Sequence, residues 1–219
     1  MAGRARPHEH SRRETRRAGR ARGAGSSEQP SQESVASEHA RHAQQSGASL
    51  KSEYERLVSK AVKHTCTEAN LRHAESALRK AMLMEPNKPQ AYGALGAVHS
   101  RTGNEVASAR AYLRASELAS EGSAEWARAT ACYFQAIRGP KCSGEPRPPW
   151  WSDEALKELS ARCVACAPTD GATHAMRAVV LSGGCDGVVP GLRTPAEWRE
   201  AAAECQTCAR LCDDPREKR

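Results

Sequence analysis

The sequence predicts an all-α protein, an array of antiparallel helix pairs behind a polar tail. Three observations carry that expectation. The first is composition. Of 219 residues Ala supplies 39, whereas Leu, Val, Ile and Phe number 13, 10, 1 and 1. Ala is the best helix former, and a chain with one Ile and one Phe cannot furnish the strands of a sheet. The second is periodicity: between residues 50 and 138 apolar side chains recur at the 3.6-residue period of a helix. The third is recurrence, because residue types return at an interval of 34 positions.

The tail comes first. Residues 1–49 are rich in Arg, Ser, Gln, Glu, Gly and His. Such a segment buries too little apolar surface to offset the entropy of ordering, so a disordered extension is expected. The charge is local as well. Residues 1–22 hold eight Arg and two Glu, net +6 of the chain's +7. Three readings fit this segment: a solvated extension, a localisation or nucleic-acid patch around Arg12, Arg13, Arg16 and Arg17, and an organellar transit peptide. Without aromatics it would meet nucleic acid only through charge, weakly and in a salt-dependent way.

Compartment follows from what is missing. No stretch approaches 18 apolar residues, so no membrane span is expected. After Met1 no large apolar residue occurs before Val35, which leaves no apolar core for a secretory signal. Nine cysteines, an odd number, then predict an intracellular protein of the cytoplasm or nucleus with free thiols.

The helices follow in order. Tyr54, Leu57, Val58, Ala61 and Val62 mark the first, and Leu71, Ala74, Leu78, Ala81 and Met82 the second, which stops at Pro86. Asn87 is the expected N-cap of the third, with Gln90 as its capping-box partner, and Gly103 ends it. A fourth carries Val106, Ala109, Tyr112, Leu113, Ala115 and Leu118. Gly122 and Ser123 open a fifth with Trp126, Ala129, Thr130 and Tyr133. Residues 139–149 are too rich in Pro and Gly for helix. Ser152 then caps a helix ending by Pro168, and residues 172–182 form another after the Asp170-Gly171 turn. After a second long loop, Thr194-Pro195-Ala196-Glu197 starts a last helix running to about Asp213.

The spacing within this run is specific. Tyr92, Leu95, Gly96, His99, Gly103, Ser108, Tyr112 and Ala115 follow an aromatic-x2-Leu-Gly pattern and then a small-x3-aromatic pattern. Thirty-four positions earlier stand Val58, Ala61, Val62, Thr65, Ala74, Leu78 and Ala81, followed by Pro86; thirty-four later stand Trp126, Ala129, Thr130 and Tyr133. On these residues the chain resembles the tetratricopeptide repeat family. The resemblance implies a right-handed superhelical array of about four degenerate repeats, near 55–88, 89–122, 123–168 with a loop insertion, and 169–213, in a domain 50–213 ahead of a short tail 214–219. In it Tyr92, Leu95, Gly96, Tyr112, Ala115, Trp126, Tyr133 and Pro86 are scaffold residues, with Gly96 allowing close helix contact.

The resemblance also implies a role, a non-enzymatic scaffold that holds a peptide or helix of another protein in a concave groove lined by the first helix of each pair. By spacing, that groove is expected to show Arg56, Lys63, Gln90, Arg101, Phe134 and Gln135, among smaller residues. Some family members clamp a chaperone's C-terminal carboxylate with Lys, Asn and Arg. Here Ser59 and Lys63 stand where Lys and Asn would be, Ala94 replaces the second Asn, and only Arg128 fits.

The cysteines offer a second chemistry. Cys163-x2-Cys166 and Cys205-x2-Cys208 could give four thiolates to tetrahedral zinc. Both pairs fall inside expected helices, and Cys205, Cys208 and Cys212 have the i, i+3, i+7 spacing of a packed stripe. Packing is therefore the primary expectation, with no cofactor, and a zinc- or thiol-dependent module using these four cysteines the alternative. No nucleophile-and-base arrangement and no phosphate-binding loop is present.

Overall fold

The structure, a computed structural model, describes residues 32–63, 68–185, 188 and 191–213. The chain divides into two compact units, Met1–Ala43 and Gln44–Arg219. The described residues contain eight α-helices and no strand: α1 Gln32–Lys63, α2 Glu68–Met84, α3 Pro89–Arg101, α4 Glu105–Leu118, α5 Ala124–Ile137, α6 Asp153–Cys166, α7 Gly171–Leu181 and α8 Pro195–Asp213. None is long and apolar enough to cross a membrane. The expected tail of residues 1–31 lies outside the described residues, whereas 32–49 belong to α1.

Short-range chemistry sets most helix ends. Asn104, Ser123, Ser152 and Asp170 each accept, through the side chain, a hydrogen bond from a backbone N–H of the first turn of α4, α5, α6 and α7. At α8 the capping box is reciprocal. The Thr194 N–H donates to Glu197 Oε2 at 2.7 Å, and the Glu197 N–H donates to Thr194 Oγ1 at 3.2 Å. Gly103 follows α3 at φ +70°, and Asn104 N–H donates to His99 O while Gly103 N–H donates to Ser100 O. This left-handed turn satisfies carbonyls that the helix end would otherwise orphan. One expected end differs. Lys88, not Asn87, is the N-cap of α3, and it makes no side-chain bond. Pro89 occupies the first helical position and holds Lys88 extended at ψ 125°, so Asn87 lies a residue too early to cap.

The described core falls into three clusters of buried residues. Tyr54 and Ala61 of α1 pack with Leu71, Ala74, Leu78 and Ala81 of α2 and with Ala91, Leu95 and Val98 of α3. Ala109 of α4 meets Tyr133, Ile137 and Cys142. Ala127, Ala131 and Phe134 of α5 pack with Leu156, Leu159 and Cys163 of α6 and with Met176 and Val180 of α7. Each helix from α2 to α8 packs on its chain neighbours, and α5 also reaches α7.

Gly96 stands where α3 and α4 approach closely. A Cβ there would stand 2.8 Å from two ring atoms of Tyr112, so α3 lies flat against that ring. The Ser108 hydroxyl, also buried, donates to the Gly96 carbonyl at 2.9 Å and ties α4 to α3 at the same point.

The two long loops are anchored. Between α5 and α6 a 3-10 turn, Pro140–Cys142, buries Cys142, and Trp150 and Trp151 fold back onto Tyr133 and Phe134. Between α7 and α8, Arg193 donates to both carboxylate oxygens of Asp153, at 2.5 and 2.7 Å, and to the Val180 carbonyl. Both side chains are buried, at 6% and 7% exposure. The Arg193 guanidinium therefore holds the Asp153 carboxyl down to about 2.

Candidate partner-binding groove

A cavity of about 390 Å³ opens along α1, α3 and α5. Val58 and Val62 of α1 form one wall. Gln90, Gly93, Ala94 and Ala97 of α3 run along the middle. Glu125, Arg128, Ala129 and Cys132 of α5 form the other wall, and Tyr112 and Ala115 of α4 lie beneath. Small side chains make this room: a Cβ on Gly93 would meet nothing within 4 Å.

Polar bonds link the three helices. The Tyr54 hydroxyl accepts from the Ala91 N–H at 3.2 Å and lies 3.5 Å from Gln90 Oε1. Gln90 Nε2 donates to Glu125 Oε1 at 2.7 Å. Arg128 pairs with Asp170, the N-cap of α7, at 3.1 Å. Burial pushes the Cys132 thiol up to about 11, with the Asp170 carboxylate adding to the effect, so this thiol is protonated at neutral pH. Burial also raises the Tyr112 hydroxyl, and Cys132 adds to it. The result is an apolar trough with a carboxylate and a guanidinium on one rim.

Of the residues expected to line the groove, Gln90 does so. Phe134 is fully buried, at 0% exposure, among α6 and α7 side chains. α5 turns its largest apolar face, Ala127, Ala131 and Phe134, toward the core, and this rotates Glu125, Arg128 and Cys132 into the groove instead. Gln135 borders a neighbouring cavity with Ser108 and Tyr112 and accepts a bond from Arg138. Arg56 pairs with Glu53 at 2.6 Å and borders a cavity on the α2 side of α1 with Lys60 and His73. Lys63 and Arg101, exposed in the last turns of α1 and α3, do not border the groove.

Val62, expected in the core, is 54% exposed and lines the groove with Val58. A sequence signal for this exists. Tyr54, Leu57, Val58, Ala61 and Val62 form one apolar stripe at i, i+3, i+4, i+7 and i+8, and Val62 lies at its edge.

The cysteines are dispersed. Cys163 is fully buried between α6 and α7, and burial pushes its thiol up to about 12. Cys166 is half-buried, Cys205 is exposed on α8, and Cys208 Sγ lies 4.0 Å from Cys212 Sγ. Among the described residues no three His, Cys, Asp or Glu side chains gather in a metal-ligand arrangement. The remaining scaffold residues divide between core and surface. Leu95, Ala115 and Tyr133 are buried, Tyr92 and Trp126 half-buried, and Pro86, whose carbonyl accepts from the Tyr92 hydroxyl, is exposed.

No family model matches this sequence, and no curated protein matches it.

Proposed function

We propose that this chain is a non-enzymatic scaffold of tetratricopeptide type, a right-handed superhelical array that holds a peptide or helix of a partner protein along α1, α3 and α5. The observation that carries the reading is the trough itself. Its walls come from the first helix of three consecutive pairs, and second-helix residues close only its floor. The packing of each helix on its chain neighbours supports the array, as does the close approach of Gly96 to Tyr112. An apolar trough of small residues accepts an amphipathic helix or extended segment with large apolar anchors, and the Glu125 and Arg128 rim sets its direction.

The test is selection of a displayed random-peptide library against the full chain, followed by titration of the enriched peptides. Gly93→Arg fills the trough at a site with open space, and Arg56→Glu changes charge outside it. The expected result is loss of about tenfold or more in affinity for Gly93→Arg and an unchanged affinity for Arg56→Glu. Enriched peptides that bind Gly93→Arg as tightly as the parent overturn the reading.

A further inference from the structure

We propose that a second cleft, between α4, α5 and α6, binds an organic cation: the methylated ammonium group of a lysine on a partner protein. The proposal goes beyond the groove reading and does not depend on it, since the cleft lies on another face of α5. Its volume is about 370 Å³. Trp126 of α5 and Trp150 of the α5–α6 loop are its accessible aromatic lining, with the buried Tyr133 of α5 behind Trp150. The Trp150 ring meets Tyr133 edge-on, with centroids 5.8 Å apart and planes at 88°. Trp126 and Trp150 are both half-buried, so each keeps surface beyond its packing contacts.

One ring already holds a cation. The Arg162 guanidinium sits 5.1 Å over the Trp126 centroid, steadied by Glu121 at 2.6 Å. The charges do not balance, however. Glu121, Glu158 and Arg162 all border the cleft and leave it one negative charge in excess. Among the described residues Glu158 forms no close ion pair of its own and shares the charge of Arg162, which Glu121 already holds at 2.6 Å. Aromatic walls with two carboxylates sharing one guanidinium favour one further cation.

The walls select its type. A bare ammonium is compact and strongly hydrated, and indole and phenol rings do not replace its water. A methylated ammonium spreads its charge over apolar methyl groups that can lie against those rings. The inserted loop makes the site. Residues 139–152 carry Trp150 into the gap beside Tyr133, where short loops would bring no aromatic.

The experiment uses the full chain and a short Ala/Gly-based peptide bearing one Nε-trimethyllysine, followed by tryptophan fluorescence and calorimetry. The same peptide with a neutral tert-butyl analogue of identical shape is the comparison, and a third peptide carries unmodified lysine. The expected result is affinity about tenfold higher for the trimethylated peptide than for either of the others. Glu158→Gln, an exposed position, is expected to weaken it about threefold, and Trp126→Leu to abolish it. Equal binding of the neutral or unmodified peptide overturns the proposal. So does undetectable binding of the trimethylated one, or a Glu158→Gln variant that binds like the parent. If Trp126→Leu fails to fold, Glu158→Gln and the neutral peptide still decide.

Discussion

Alanine at Gly96 should destabilise the protein relative to alanine at Gly93, although both sit inside α3 and the chemical change is the same. The added Cβ at Gly96 would lie 2.8 Å from Cδ1 and Cε1 of Tyr112 and 2.9 Å from its Cγ. Ring rotation cannot relieve this contact, because Cγ is fixed one bond from the α4 backbone's Cβ. Nor can α4 retreat freely, since Ser108 is bonded to the Gly96 carbonyl. Overpacking of this kind costs about 1–3 kcal/mol. At Gly93 the Cβ meets open space, so only the gain of about 1 kcal/mol in helix propensity remains. Because that gain is common to both, the difference between the variants isolates the clash. In a chain of this size, 1 kcal/mol moves Tm by about 2–4 °C, so Gly96→Ala should melt roughly 2–12 °C below Gly93→Ala by circular dichroism. In a Tyr112→Ala background the two substitutions should become equivalent. A Gly96→Ala variant that melts with or above Gly93→Ala refutes the claim that α3 and α4 meet at that ring.

Arg193→Ala should destabilise the protein in urea unfolding, by less than the about 3–5 kcal/mol of a fully unpaired buried charge, because Asp153 loses its bidentate partner and keeps only Lys157 at 3.4 Å and the Gly191 N–H. Asp153 is held at about 2 against an ordinary 3.8, so its contribution is present above 3.8 and lost as pH falls toward 2; acid melting of Asp153→Asn should lack that component. His174 behaves in the opposite sense. Burial alone would lower its pKa, but hydrogen bonds to the Pro168 carbonyl and Glu204, with the charges of Glu204 and Asp170, raise it above 6.5. Its stabilisation is complete below 6.5 and disappears as pH rises through the folded value, and His174→Gln should flatten that part of the stability curve. Alkylation of the native protein followed by mass spectrometry should modify the exposed Cys205 and Cys212 first and the buried Cys142 and Cys163 last; early labelling of Cys163 would contradict its place in the α6–α7 core.

Legibility in the sequence follows the range of the interaction. Ser123, Ser152 and the Thr194–Glu197 box cap helices through bonds spanning three residues, and Gly103 ends α3 through its own backbone, so the helix ends can be read from neighbours in the chain. The contact of Gly96 with Tyr112 is also legible, because a short turn brings their helices together at a fixed spacing. The candidate groove is legible only in part. Gln90, Gly93 and Ala97 fall on the expected face of α3. The face of α5 does not follow from spacing, since it carries apolar residues over an arc wide enough for more than one orientation, and on α1 Val62 stands at the edge of the stripe, where spacing does not decide between core and surface.

The sequence by itself determined that the described chain is helical, where most of its helices begin and end, and that Gly96 must lie against a neighbour. Only the tertiary structure decided that Phe134 turns inward, that Val62 turns outward, and that Arg193 meets Asp153 across 40 positions of chain. It also placed Trp150 beside Tyr133. Helix formation and capping depend on hydrogen bonds within a few residues. The orientation of an apolar helix, and the partner of a buried charge, depend on which distant surfaces leave least apolar area in water and no charge unpaired.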